Sequence, residues 1–316
     1  MKNRAQLKAV VITFLLAAFS TVSVLATDKY QFTIDLVHVQ HDQVNVELIA
    51  PSLTENTIDY ALPKIVPGTY AIYDFGRFIE DFHAQDITGN ELKVSHPDTN
   101  TWTISDATKL HRITYKVNDT FDAWDMKDNP IFEPAGSNIE ADSNYQVNTF
   151  AFIGYFQNHE QLPYEINIRH QPDFYGSTAL SDEDKSNDND RFTESNYHDV
   201  ADNPMVYDRP DTATVQVGNC TVLISVYSPT KMIHASVLAK NLDTLLHAQG
   251  KYLGGTLPVN KYAFIIYTHT KPGISGGEGA LEHSYCSVYY MPEFDEQQFA
   301  AVFRDFAAHE FFHILT

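Results

Sequence analysis

His309-Glu310-Phe311-Phe312-His313, close to the end of a chain of 316 residues, decides how the rest is read. Two histidines four apart on a helix put both imidazoles on one face, where they can share a zinc ion. The glutamate beside the first can then act as general base on water activated by the metal. The preceding residues predict the helix. Asp295 reads as its N-cap with Gln298 three positions on, and Phe294 and Phe299 stand where a hydrophobic staple packs. Phe299, Val302, Phe303 and Phe306 then recur at helical spacing. At 100° per residue His309, Glu310 and His313 project within the same arc as those apolar positions. A core helix whose histidines bond to backbone is the alternative. It leaves a glutamate on a buried face with no cation assigned to it, which is costly.

Moving outward, 43% hydrophobic and 13% aromatic residues suffice for a sizeable core in a chain with room for about two domains. The amino terminus reads as a secretory signal peptide. Lys2, Arg4 and Lys8 are its basic region, Ala9 to Leu25 its apolar stretch, and Val24-Leu25-Ala26 a small-residue cleavage site after Ala26. A membrane anchor is the alternative. Cleavage leaves 18 basic against 41 acidic side chains, a net charge of −23 with histidines neutral. That charge predicts no nucleic-acid partner and no stable membrane association after cleavage, and the signal peptide predicts a secreted or periplasmic location. Cys220 and Cys286 read either as a disulfide of an exported protein or as two buried thiols.

The fold class predicted is α+β. Alternation at Tyr30-Phe32-Ile34-Leu36 and Val44-Val46-Leu48 recurs around Trp102, Ile113, Ile166 and Val215. Short strands separated by Pro, Gly, Asn and Asp clusters predict an antiparallel β-sandwich over residues 27–227. Ser181 to Asn196 is polar, acidic and without apolar periodicity, and reads as a surface loop. From residue 228 onward the pattern changes: a helix over Met232–Tyr252 ending at Gly254-Gly255, a strand at Lys261–Thr268, and a glycine-rich loop at Gly273–Gly279. A strand over Leu281–Tyr290 and the histidine-bearing helix follow. This succession of strand, edge strand and zinc helix predicts the incomplete first half of a thermolysin-like catalytic domain over 228–316.

Four segments then carry a resemblance. They are Leu62-Pro63-Lys64-Ile65-Val66-Pro67-Gly68-Thr69-Tyr70 continuing to Asp74-Phe75-Gly76-Arg77; Asp202-Asn203-Pro204-Met205; Gly276-Gly277-Glu278-Gly279-Ala280-Leu281-Glu282-His283; and His309 to His313. In these the chain resembles the glycyl aminopeptidase family of zinc metallopeptidases, gluzincins of the HExxH type. The resemblance implies that His309 and His313 are zinc ligands, that Glu310 is the catalytic base, and that Glu282 binds the free α-amine of a peptide substrate. Gly279 and Ala280 would let substrate backbone lie against the strand as an added β-partner. It further implies Zn2+ as cofactor, and cleavage after small amino-terminal residues such as glycine or alanine. The family's third zinc ligand lies well downstream of the second histidine, so the resemblance covers an amino-terminal portion and implies an inactive chain on its own. The Pro67-Gly68-Thr69-Tyr70 turn is assigned a structural role. Two other functions compete: a non-catalytic β-sandwich binding module with a remnant peptidase domain, and an endopeptidase.

Overall fold

The computed structural model describes residues 28–123 and 128–315. The signal peptide predicted over residues 1–26 lies outside the described residues. No helix among them is long and apolar enough to cross a membrane.

The amino-terminal part is built on the alternation seen in its sequence. Tyr30, Phe32, Ile34 and Leu36 in Tyr30–Gln40 are fully buried, as are Val44 and Leu48 in the neighbouring Gln43–Ile49. In a strand such residues share one face. A six-stranded sheet runs in the order Asn189–Glu194, Tyr164–Arg169, Tyr30–Gln40, Gln43–Ile49, Leu110–Asn118, Ile79–Asp86. Its apolar face shares one core with a four-stranded sheet ordered Tyr155–Phe156, Thr57–Ala61, Thr101–Ser105, Val94–Asp98. The buried tyrosines of this core find partners, as burial of a hydroxyl requires. The Tyr60 and Tyr115 hydroxyls lie 2.9 Å apart, and Tyr30 accepts from the Phe156 amide at 2.9 Å. A further four-stranded sheet, ordered Tyr175–Ser177, Met205–Asp208, Asn144–Val147, Asn138–Glu140, completes this part.

Two expectations need correction here. The sheets are not purely antiparallel, since Tyr30–Gln40 pairs in parallel with Tyr164–Arg169. The stretch read as a surface loop over 181–196 contains the strand Asn189–Glu194, the outermost of the six-stranded sheet. An edge strand wetted on most sides shows no apolar alternation, so its sequence looks like a loop.

The carboxy-terminal sheet has five strands in the order Asp211–Val217, Cys220–Tyr227, Lys261–His269, Cys286–Pro292, Gly279–Glu282. Asp211–Val217 and Cys220–Tyr227 precede residue 228, where the pattern changes, yet they hydrogen-bond into this sheet. The three central strands are parallel and strongly apolar, as parallel strands covered on both faces must be. One face carries the helices Ala235–Tyr252 and Glu296–Glu310, packed through Leu238, Leu242, Leu246, Phe299 and Phe303. The other face presents Leu223, Ala263, Ile265 and Val288 to Val206 of the amino-terminal part. The strand expected over Leu281–Tyr290 is two strands, Gly279–Glu282 and Cys286–Pro292, paired antiparallel. Cys220 and Cys286 are both buried free thiols.

Candidate metal and amine site

The histidine-bearing helix starts where its sequence predicts. Asp295 accepts from the Gln297 and Gln298 amides at 3.1 Å, and the Phe294 and Phe299 rings pack at 5.4 Å. Its end departs from expectation. The α-helix closes at Glu310, and Phe311–Leu315 continues as a 3-10 turn carrying His313. Phe311 and Ile314 are both buried in the core. Residues three apart eclipse in a 3-10 helix, so tightening lets both face inward. Phe311 stacks edge-on to Tyr262 at 4.9 Å, the Tyr262 hydroxyl donates to the Glu310 carbonyl at 3.3 Å, and Gln249 donates to the Ala308 carbonyl at 2.8 Å. These contacts fix the last turn.

The buried face of the helix also differs from the predicted arc. Phe299, Ala300, Phe303, Ala307 and Glu310 are buried, whereas Val302 and Phe306 are exposed. Val302, Phe306, His309 and His313 follow one another at intervals of three or four, so the first histidine stands on the open flank while Glu310 turns inward. Alanines 300 and 307 let the helix sit close to the sheet. Periodicity defines an arc but does not say which side of it meets the core.

The motif residues nevertheless come together. The His309 and His313 rings lie 5.3 Å apart, and a ligand atom from each of His309, Glu310 and His313 falls within 4.8 Å of the others. Glu310 is 7% exposed, and its Oε2 has no hydrogen-bond partner among the described residues. Burial raises its pKa above the ordinary carboxylate value; His309 opposes this, and the charge of Glu282 adds to it. Two imidazoles offer zinc two of its nitrogen ligands, and a buried carboxylate oxygen without a partner is relieved by a nearby cation. The residues present fit the metal.

Glu282 enters from the other side. Its strand Gly279–Glu282 is the edge of the five-stranded sheet. Alternation along it sends Leu281, fully buried, into the amino-terminal core, while Ala280 packs on the carboxy-terminal core. Glu282, on the face of Ala280, lies close enough for its charge to act on Glu310. Gly279 is buried, with Phe132 alongside, and Ala280 is half-buried.

The amino-terminal part supplies groups that sequence reasoning placed elsewhere or ranked low. Asp202 Oδ1 lies 3.0 Å from Nδ1 of His283, and its other oxygen accepts from the Ser284 amide at 2.9 Å. Burial alone would raise the Asp202 pKa, but the contacts with His283 and the amide bring it below the usual carboxylate range. The buried Glu133 accepts from the Ser275 amide at 3.0 Å and also pairs with its hydroxyl, holding the glycine-rich loop. Gly68, from the turn assigned structure alone, lies against Glu282 and Leu281. The four segments that carry the resemblance, scattered along the chain, thus adjoin one another. The segments themselves were visible beforehand, but the contact of the Pro67-Gly68 turn with Glu282 was not, since a turn does not name what it touches.

Comparison with a solved structure gives the same fold. An aminopeptidase N family protein from Idiomarina loihiensis superposes with a TM-score of 0.76 over 90% of this chain, at 18% identity. An M1 zinc metallopeptidase from Deinococcus radiodurans matches 90% of this chain and 64% of its own, with a TM-score of 0.48 and 12% identity. The chain spans about half of the Idiomarina protein, 47% of its length. Comparison with curated proteins returns no match. Residues 31–208 match the Peptidase M61 N-terminal domain over more than half of the chain, and the chain belongs to that peptidase family.

Proposed function

We propose that this chain belongs to an exported zinc-dependent aminopeptidase of the glycyl aminopeptidase type, which removes small amino-terminal residues, glycine or alanine, from peptides. The observation that carries the reading is the packing of the strand that ends at Glu282 against the helix that ends at Glu310. One carboxylate sits beside two imidazoles, and a second lies a short way along the sheet edge. An aminopeptidase needs this pair, one group for the reaction and one for the substrate's charged amine.

His309 and His313 are the residues that would hold zinc, which when bound supplies a Lewis acid that brings the pKa of water towards neutrality. Glu310, held inward by Phe311 and Tyr262, has one oxygen free to take a proton and return it to the leaving amine. Glu282 binds the substrate's ammonium group and so sets the distance from the amino terminus to the bond cleaved. The edge at Ala280 offers backbone to an extended peptide. Phe132 beside Gly279 limits that pairing to a short segment.

The test joins metal content to substrate choice. A form of the protein that supplies a third zinc ligand, purified at controlled free zinc, should hold near-equimolar metal that His309→Ala loses. Glycine and alanine anilides should be cleaved and their N-acetylated forms left intact. Cleavage of blocked and free peptides alike would point to an endopeptidase. Zinc retained by His309→Ala would remove the motif from the chemistry.

A further inference from the structure

The turn after Val66 and the carboxylate of Glu282 come from opposite halves of the chain and meet directly. Gly68 has φ 82°. A Cβ built on it would stand 2.8 Å from both Oε1 and Oε2 of Glu282 and 2.8 Å from Cδ1 of Leu281. Non-bonded carbon contacts are optimal near 3.5–4.0 Å, so a methyl group there requires the Glu282 carboxylate and the Leu281 methyl to move. The backbone of the turn is packed on the carboxylate itself.

This wall is fixed at both ends. Val66 and Tyr73 are buried in the amino-terminal core. The Lys64 carbonyl accepts from the Tyr73 and Asp74 amides at 2.8 and 3.0 Å, and the Thr69 hydroxyl donates to the Val66 carbonyl at 2.9 Å. Asn129 donates to the Ile72 carbonyl at 3.1 Å, and Tyr73 accepts from the Phe132 amide at 3.3 Å. Leu281, beside the carboxylate, is anchored in the same core. Turn and strand are therefore braced against one body, with the turn against the Glu282 carboxylate and the strand packed on the histidine-bearing helix.

From this packing we infer that Gly68 is a specificity-determining residue: the turn it opens closes one side of the Glu282 carboxylate, so that the site accepts the unsubstituted primary amine of a peptide terminus and excludes N-alkylated ones. The inference rests on the reading of Glu282 as the amine anchor. A primary ammonium presents three N–H donors around one carbon substituent. An N-methyl group adds a second carbon, which is denied the side of the carboxylate that the turn covers. A side chain on Gly68 would have the converse effect, displacing the carboxylate from its place.

The experiment measures binding of glycinamide, N-methylglycinamide and N-acetylglycinamide to the full chain by NMR titration. Thermal unfolding of each variant confirms that it is folded. Wild type should bind glycinamide at least tenfold more tightly than its N-methyl form. Glu282→Gln should lose glycinamide, and Gly68→Ala should weaken it at least tenfold. Because alanine also strains a turn at positive φ, the deciding variant is Gly68→Ala with Glu282→Asp. The shorter carboxylate, with Leu281→Val added to remove Cδ1, makes room for the new methyl on both sides, and binding should recover relative to Gly68→Ala alone. If Gly68→Ala binds like wild type while Glu282→Gln does not, the wall is refuted and the anchor stands. If Glu282→Asp with Leu281→Val binds yet brings no recovery to Gly68→Ala, the direct contact is refuted. Undiminished binding by Glu282→Gln, or none by wild type, overturns the anchor and the inference together.

Discussion

Asp202 and His283 form a clasp between the two halves of the molecule: one carboxylate holds the imidazole at 3.0 Å and the next backbone amide at 2.9 Å. His283 is buried, and it directly follows the residue assigned to the substrate's amine. Replacing Asp202 with alanine leaves a buried ring nitrogen and an amide without their partner. The expected cost is about 1–3 kcal/mol, with faster amide exchange along Gly279–Glu282 measured by hydrogen-exchange mass spectrometry. Asp202→Asn should recover part of the loss. Unchanged exchange in Asp202→Ala would show that the clasp does not secure the strand.

Leu281 plugs the edge strand into the amino-terminal core. Leu281→Ala removes a fully buried side chain and should destabilise by about 2–5 kcal/mol, read in denaturant unfolding. Zinc affinity should change less than peptide affinity, because His309 and His313 are held by the other core. Equal losses in both would tie the histidines to Leu281 more closely than the packing suggests.

Asp208 gives a pH prediction. Its side chain is 1% exposed and neither carboxylate oxygen has a hydrogen-bond partner among the described residues. Burial pushes its pKa up to about 7, with Arg209 opposing. A folded pKa above the unfolded value of about 3.9 means that between the two the native chain holds a proton the unfolded chain releases. The contribution is full below pH 4 and is lost as pH rises through 7. Asp208→Asn should therefore stabilise at pH 8 by about 1–3 kcal/mol and change little near pH 4. A pH-independent difference in thermal unfolding would contradict this.

Val302 and Phe306 are exposed on the flank they share with His309. Phe306→Ser should leave the melting temperature within a few degrees, since the buried face is formed by Phe299, Phe303 and Ala307, and should reduce self-association in analytical ultracentrifugation. A collapse of the fold would mean that the flank is packed after all.

Much of the architecture was legible because it rests on local patterns. Strong alternation at Tyr30–Leu36 and Val44–Leu48, the Asp295 cap and the Phe294–Phe299 staple are relations between near neighbours. So is the pairing of His309 with His313. Three kinds of feature were not legible. Asn189–Glu194 hid because an exposed edge strand needs no apolar face. Val302 and Phe306 were misplaced because only the tertiary partners choose which part of an apolar arc turns inward. The roles of Gly68, Asp202 and Glu133 depend on contacts with residues far away in sequence, which no spacing rule encodes. Asp202 stood within a segment already singled out, but its partner His283 became evident only in space.

The placement of Leu281 in one core and Ala280 in the other has an evolutionary and practical corollary. Neither half of this molecule owns the site. A chimera that grafts the carboxy-terminal sheet and its histidines onto a foreign β-sandwich would keep the two histidines. It would lose the socket for Leu281, the turn over Glu282 and the clasp on His283 at one stroke. The two halves are expected to be inherited as a matched set, and changes in the turn at Gly68 should be answered by changes at Leu281 or Glu282 in the same lineage.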